Sequence, residues 1–314
     1  MRVQSARPFL KWAGGKGQLL REFAVRLPRA VKEGRTDTYV EPFVGGGAVY
    51  FCINNHYAFD ECHIFDINEE LVLAYTVVRN DVEELIEVLR DTETAYLELD
   101  TKKRQEFFYT VRTRYNGSKA SIRWDRYGKP WIQRAADLIF LNRTCFNGLF
   151  RVNSEGGFNV PFGRYKNPQI LNQEVLRSDS VLLENTSIHL GDFADSARYV
   201  DANTFVYFDP PYRPLNRTSR FTSYSKDGFG DDDQRRLAKY FHELDARGAQ
   251  LMLSNSDPKN EDPNDHFFED LYPEYTIERV SARRMINSNG ERRGEINELI
   301  ITNYSTDRSG PSVC

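Results

Sequence analysis

The 314-residue sequence lacks the features that mark several large protein classes. It has no apolar run near the roughly 20 residues a membrane span requires. The apolar stretch close to its start is broken by Lys11, Gly14, Gly15 and Lys16, which is not a signal-peptide pattern. Cysteine is scarce: Cys52, Cys62, Cys145 and Cys314 show no metal-ligand spacing, and a reduced, cytoplasmic chain is expected. The five histidines are scattered with no His-x-x-x-His pair, so no metal centre is expected. No internal repeat is present.

Excess charge of either sign is also missing, since the net charge is −4. That average hides an asymmetry. Segment 81–100 holds eight acidic residues against Arg90 alone, whereas 102–177 holds 15 Lys and Arg against 5 Asp and Glu. Phe107, Phe108, Tyr109, Tyr115, Trp124, Tyr127 and Trp131 are interleaved with those cations. Such a stretch suits a polyanion such as nucleic acid, or else a solvated helical face with core aromatics behind it.

What the sequence does contain is a series of short apolar runs, each ending in a polar or glycine-rich loop. Thr38–Val40 runs into Glu41-Pro42-Phe43-Val44-Gly45-Gly46-Gly47, and Cys62–Phe65 ends at Asp66. Thr204–Phe208 ends at Asp209-Pro210-Pro211-Tyr212, and Gln250–Leu253 ends at Ser254-Asn255-Ser256. Ser187–Leu190, ending at Gly191-Asp192-Phe193, is a fifth candidate strand. Helical patterns over 69–80 and 231–247 alternate with them, which predicts an α/β fold with a mostly parallel sheet. In such sheets ligands bind beyond the carboxyl ends of the strands. Segment 77–185 breaks the alternation, reading as helical from 81 to about 140 and hairpin-like beyond. It is expected to be an inserted domain within a catalytic domain of 1–76 and 186–304, with 305–314 a flexible tail. Segment 213–230, carrying Arg213, Arg217, Arg220 and Tyr224, is expected to be a mobile loop that orders around DNA.

The glycine run permits positive φ and close backbone approach to a ligand. Asp66, about 20 residues on, stands where an acidic side chain accepts ribose hydroxyls. The spacing is not Gly-x-Gly-x-x-Gly, and Glu41 suits a cationic ligand better than a diphosphate. Near the start, Trp12 offers a flat apolar surface and Lys16 a cation able to meet a carboxylate; core packing and a surface charge are the alternatives. Asp209-Pro210-Pro211-Tyr212 fits a specific chemical problem. An exocyclic amine on a nucleobase is planar and weakly nucleophilic because its lone pair is delocalised. The Asp209 carboxylate and the Pro210 carbonyl, stiffened by two prolines, supply two acceptors that draw the nitrogen toward a tetrahedral shape. Tyr212 supplies a face on which an extruded base stacks. A proline turn capped by aspartate is the plain alternative.

These motifs, with Phe9–Lys16, Phe65–Asn68, Arg283–Asn289 and Asn297–Asn303, resemble in order those of the Dam-type (D12 class, alpha group) N6-adenine DNA methyltransferases, including the enzymes of the DpnII and MboI modification systems. The resemblance implies a Rossmann-like S-adenosylmethionine-dependent methyltransferase sheet with an inserted, mainly helical target-recognition domain carrying a β-hairpin. It implies S-adenosylmethionine contacts at Trp12, Lys16, Asp66 and Asp209. Glu41, Phe43 and Gly45 of the glycine loop, and Asp192 and Phe193, are further cofactor candidates. Leu141–Arg151 and Phe158–Tyr165 resemble the family's GATC-reading hairpin. There Arg151 is the residue type that grips guanine bidentately. Leu149 and Pro161 suit a thymine methyl, Phe146 suits a wedge into the stack beside Asn147, and Lys11 reads the outer guanine by resemblance. Some family members carry tyrosine at the position of Phe146, so any contact of that hydroxyl is lost here. The expected function is methylation of a flipped adenine in double-stranded DNA, in a cytoplasmic, nucleoid-associated setting, with a cognate restriction endonuclease as a possible partner. An N4-cytosine methyltransferase and a catalytically silent DNA-binding module are the competing readings.

Overall fold

The computed structural model describes residues 5–12, 14, 16–17, 19–213, 229–283 and 295–306. Residues 214–228 of the expected mobile loop, positions 284–289 of the late motif, and 307–314 of the expected tail lie outside them. The chain divides into two compact units: Met1–Gly15, Gly45–Phe51 and Asp66–Leu190 form one, and Lys16–Val44, Cys52–Phe65 and Gly191–Cys314 the other.

The described residues hold seven strands: β1 (Thr38–Glu41), β2 (Glu61–Asp66), β3 (Thr186–Leu190), β4 (Thr204–Phe208), β5 (Gln250–Ser256), β6 (Thr276–Arg283) and β7 (Glu295–Thr302). The second unit holds all but β3 and a single residue of β2, in the order β2-β1-β4-β5-β7-β6. β2, β1, β4 and β5 are parallel neighbours, while β7 runs antiparallel to both β5 and β6. Buried parallel strands must be apolar on both faces, and β4, Thr-Phe-Val-Tyr-Phe, is buried at every position. The helix Asp231–Asp245 places Leu237, Ala238, Phe241 and Leu244 on one stripe, buried with Val206, Phe208, Leu251 and Leu253 in a single core. Asp231, Asp232 and Asp233 in its first turn complement the helix dipole. β6 and β7 were not among the strands expected from the sequence.

The first unit is mainly helical, with helices Glu69–Asn80, Val82–Leu97, Thr101–Ser118, Pro130–Thr144 and Gln173–Leu183. Pro130–Thr144 is buried along almost its whole length and packs on the first three. Here the basic, aromatic-rich stretch is partly internal structure. Phe108, Tyr115 and Trp131 are core residues, and Arg134 is buried, bonded through Nε to Glu70 Oε2 at 2.8 Å and through Nη1 to the Tyr115 carbonyl at 2.8 Å. Arg114 likewise forms a bidentate pair with Asp137. The expected hairpin is not a ladder but two isolated antiparallel bridges, Cys145 with Phe162 and Val152 with Phe158. The Asn116 carboxamide brackets Phe158, accepting from its N–H at 2.8 Å and donating to its carbonyl at 3.1 Å. Cys62 and Cys145 are buried as thiols. No helix among the described residues is long and apolar enough to cross a membrane.

Candidate active site

In the sheet unit, the strand order reverses between the parallel neighbours β1 and β4: β2 lies beyond β1 on one side and β5 beyond β4 on the other. The carboxyl ends of these strands at such a switch point form the crevice where open α/β sheets bind ligands. Glu41 ends β1, and Asp209 directly follows β4. Phe208 pairs with Leu253, so the next residues along, Asp209 and Ser254, stand side by side.

Asp209 Oδ1 receives Lys16 Nζ at 2.8 Å and the Ser254 hydroxyl at 3.1 Å. Ser254 Oγ lies 2.9 Å from the Tyr207 hydroxyl. Lys16 Nζ also sits over the Tyr212 ring, 4.2 Å from its centroid, and the Tyr212 hydroxyl donates to Glu298 Oε2. Glu41 is buried and accepts from the Tyr39 hydroxyl at 2.5 Å. Burial drives the Glu41 carboxyl well above the usual range, opposed by the Tyr39 bond and reinforced by Asp209. Burial raises Asp209 too, against the pull of Lys16 and Ser254, and also raises Glu298. One buried acid, Glu41, and two half-buried ones, Asp209 and Glu298, therefore lie around Lys16, a set suited to a cationic ligand.

The proline loop is braced from behind. Gln234 Nε2 donates to the Pro211 carbonyl at 3.1 Å, and Gln234 Oε1 accepts from Asn255 Nδ2 at 3.2 Å. Asn255 Oδ1 in turn accepts from the Arg213 N–H at 3.1 Å. Gln234, Ser254 and Asn255 are fully buried. Sequence reading gave roles to none of these, nor to Glu298. The only signal was the polar ending Ser254-Asn255-Ser256 of an otherwise apolar strand. Nearby, Phe43 and Phe193 pack with ring centroids 5.4 Å apart. Asp192 is an N-cap for Ala194 and a bidentate partner of Arg236, which holds its carboxyl below the ordinary range.

The remaining candidates belong to the helical unit. Asp66 Oδ2 accepts from the Gly45 N–H at 3.0 Å and Oδ1 from the Asn68 N–H at 2.8 Å. Burial lifts its carboxyl to about 6, partly offset by these N–H groups. The glycine run is packed against protein: a Cβ on Gly46 would stand 2.9 Å from Trp12 Cβ, and one on Gly47 2.5 Å from the Tyr75 hydroxyl. Gly45 and Gly47 have φ of 48° and 73°. Trp12 stacks on Phe150 with centroids 5.0 Å apart. Lys11, Phe146, Asn147, Arg151 and Pro161 are exposed and Leu149 half-buried. Phe146 retains 52% exposure, high for so apolar a side chain. Arg151 Nε donates to Asn159 Oδ1 at 2.8 Å. Among the described residues no group of three or more His, Cys, Asp or Glu could hold a metal ion.

A mostly parallel sheet with an acidic, proline-stiffened loop at its switch point is the framework of a Rossmann-like methyltransferase. Residues 12–286 match the family described as D12 class N6 adenine-specific DNA methyltransferase. Among similar proteins, the type II methyltransferase M.MjaIII of Methanocaldococcus jannaschii is 52% identical over 299 residues, covering 95% of this chain and 99% of its own. The type II methyltransferase M1.LlaDCHI of Lactococcus lactis is 38% identical, and the DNA adenine methylase of Escherichia coli K12 33%, each over 95% of both chains. The chain belongs to the D12 class of N6-adenine-specific DNA methyltransferases. Its activity is that of an adenine-specific DNA methyltransferase, and the family implies use of S-adenosylmethionine.

Proposed function

We propose that the enzyme methylates N6 of an adenine swung out of double-stranded DNA, within the sequence GATC. S-adenosylmethionine supplies an electrophilic methyl group carried on a sulfonium. The Asp209 carboxylate and the Pro210 carbonyl accept from the two amine hydrogens and turn the nitrogen lone pair toward that methyl. Lys16 and Ser254 both engage Oδ1 of Asp209, which leaves Oδ2 for the amine. The bound cofactor would supply the methyl group and leave as a neutral thioether, and Asp209 is the group that would take the proton released by the methylated nitrogen. Tyr212 stacks on the base, a contact worth about 1–3 kcal/mol.

The observation that carries this reading is the Lys16–Asp209–Ser254 cluster beside Glu41 at the switch point, with Gln234 bracing the prolines. The acid surplus fits a cationic cofactor. Trp12, Lys16, Glu41, Phe43, Gly45, Asp66, Asp192, Phe193 and Asp209 are assigned to it. Lys11, Phe146, Asn147, Leu149, Arg151 and Pro161 are assigned to DNA, within a recognition region spanning 77–185. The exposure of Phe146 on a tight turn supports its role as a wedge. A cytoplasmic, nucleoid-associated location goes with this function, and the type II names of two relatives favour a cognate restriction endonuclease as partner.

The test is methylation of plasmid DNA with labelled cofactor, followed by digestion to nucleosides and by challenge with endonucleases that cut at GATC. Labelled N6-methyladenine and protection at GATC are expected; N4-methylcytosine, or GATC sites that remain cleavable, would contradict the proposal. Asp209→Ala should abolish transfer while sparing DNA binding, which separates the enzyme from a silent binding module.

A further inference from the structure

Segment Arg7–Lys11 forms neither helix nor strand, and side chains from two helices hold its main chain. Asp179 Oδ1 accepts from the Arg7 N–H at 2.9 Å, and Arg143 Nη2 donates to the Phe9 carbonyl at 2.7 Å. Asn142 takes both polar groups of Lys11: Oδ1 accepts from its N–H at 2.8 Å, and Nδ2 donates to its carbonyl at 2.8 Å. Nδ2 also donates to the Gly148 carbonyl at 2.9 Å. Asn142 is fully buried, and its bond to Gly148 is buried while the two to Lys11 are partly so. This set needs one acceptor and two donors on a short stem. Aspartate lacks the donors, serine lacks the reach, and glutamine is a methylene too long.

Gly148 closes against Lys11 from the other side. A Cβ there would stand 2.4 Å from Lys11 Cδ, and φ at Gly148 is 64°. A single carboxamide therefore joins the root of the Lys11 side chain to the turn Phe146–Leu149. Both parts present exposed groups. Lys11 lines a cavity of about 280 Å³ with Arg143, Tyr165 and Gln169, and Phe146 and Asn147 stand out from the turn.

We propose that Asn142 is a positioning residue for sequence discrimination: it locks Lys11 to the Phe146–Leu149 turn so that the two address DNA at a fixed spacing. This rests on the reading above that Lys11 and the turn face DNA. Base edges are told apart by donors and acceptors at set positions, so a joint that slips lowers selectivity before it lowers chemistry.

Methylation rates are measured on a GATC duplex and on duplexes with one base changed, alongside cofactor affinity and thermal melting. Asn142→Asp keeps size and acceptor but removes both donors. It should reduce the cognate-to-altered rate ratio at least tenfold with cofactor affinity unchanged. Lys11→Ala should reduce the same ratio, and adding Asn142→Asp to it should reduce it no further. Gly148→Ala loads the contact from the opposite side and should also reduce the ratio; it decides the matter if Asn142→Asp does not fold. A wild-type ratio in Asn142→Asp, equal slowing on every duplex, or an effect that adds to Lys11→Ala overturns the positioning role. A wild-type ratio in Lys11→Ala shows instead that the DNA-facing reading has failed, and the positioning role falls with it.

Discussion

Gln234 offers a stringent test of how the proline loop works, because it touches no reacting atom in the proposed chemistry yet grips the loop. Gln234→Ala leaves the Pro211 carbonyl and the Asn255 amide without their partner, at about 1–3 kcal/mol each. Gln234→Glu is more informative. Its carboxylate still accepts from Asn255 but turns an anionic oxygen toward the Pro211 carbonyl, pushing the loop away. Displacement of a reacting group by about 1 Å costs on the order of 100-fold in rate. The single-turnover rate on saturating duplex should therefore fall about 100-fold at alkaline pH. Burial raises the introduced carboxyl above its unfolded value. Its penalty is accordingly absent at low pH and grows as pH rises through the raised pKa. On acidification the carboxyl gains a proton, donates to Pro211 again, and the variant-to-wild-type rate ratio should recover. A ratio that stays near one, or that stays low and flat with pH, refutes the idea that this bond positions the loop.

Three further outcomes are expected. Arg134→Leu or Glu70→Leu alone strands a buried charge and should cost about 3–5 kcal/mol in thermal or urea unfolding, whereas Glu70→Leu with Arg134→Met should cost much less. Burial pushes the Asp179 carboxyl up to about 8, and its Oδ2 has no hydrogen-bond partner. The folded state thus binds the proton more tightly than the unfolded chain, so stability falls as pH rises from about 4 to 8. Asp179→Asn should flatten that fall in melting curves taken across this window. Arg151→Ala should relax base preference at one position by about 1–3 kcal/mol; uniform weakening on all sequences would show a phosphate contact only.

Four of the five strands read from the sequence are largely buried apolar runs, as in Thr204–Phe208, whereas Thr186–Leu190 is mostly open. β6 escaped because Thr-Ile-Glu-Arg-Val-Ser-Ala-Arg mixes charges into a strand paired on only one side. Glu41, Asp66 and Asp209 were legible because each closes an apolar run, whereas Glu298 stands before one. Their supports were not. Gln234 sits in a helix otherwise rich in surface charge, and nothing in its neighbours indicates that it turns inward. Arg134 counted toward the basic stretch although Glu70, 64 residues away, neutralises it. The glycine run was read as room for a ligand, yet Trp12 and Tyr75 occupy the space a Cβ would need. Such pairings depend on contacts between distant segments, which local pattern does not carry.

The crowding of Glu41, Asp209 and Glu298 around Lys16 has a thermodynamic consequence. Burial lifts all three acids above their ordinary range. A positively charged ligand bound beside them should lower those values, so its calorimetric binding heat should change with the ionisation enthalpy of the buffer.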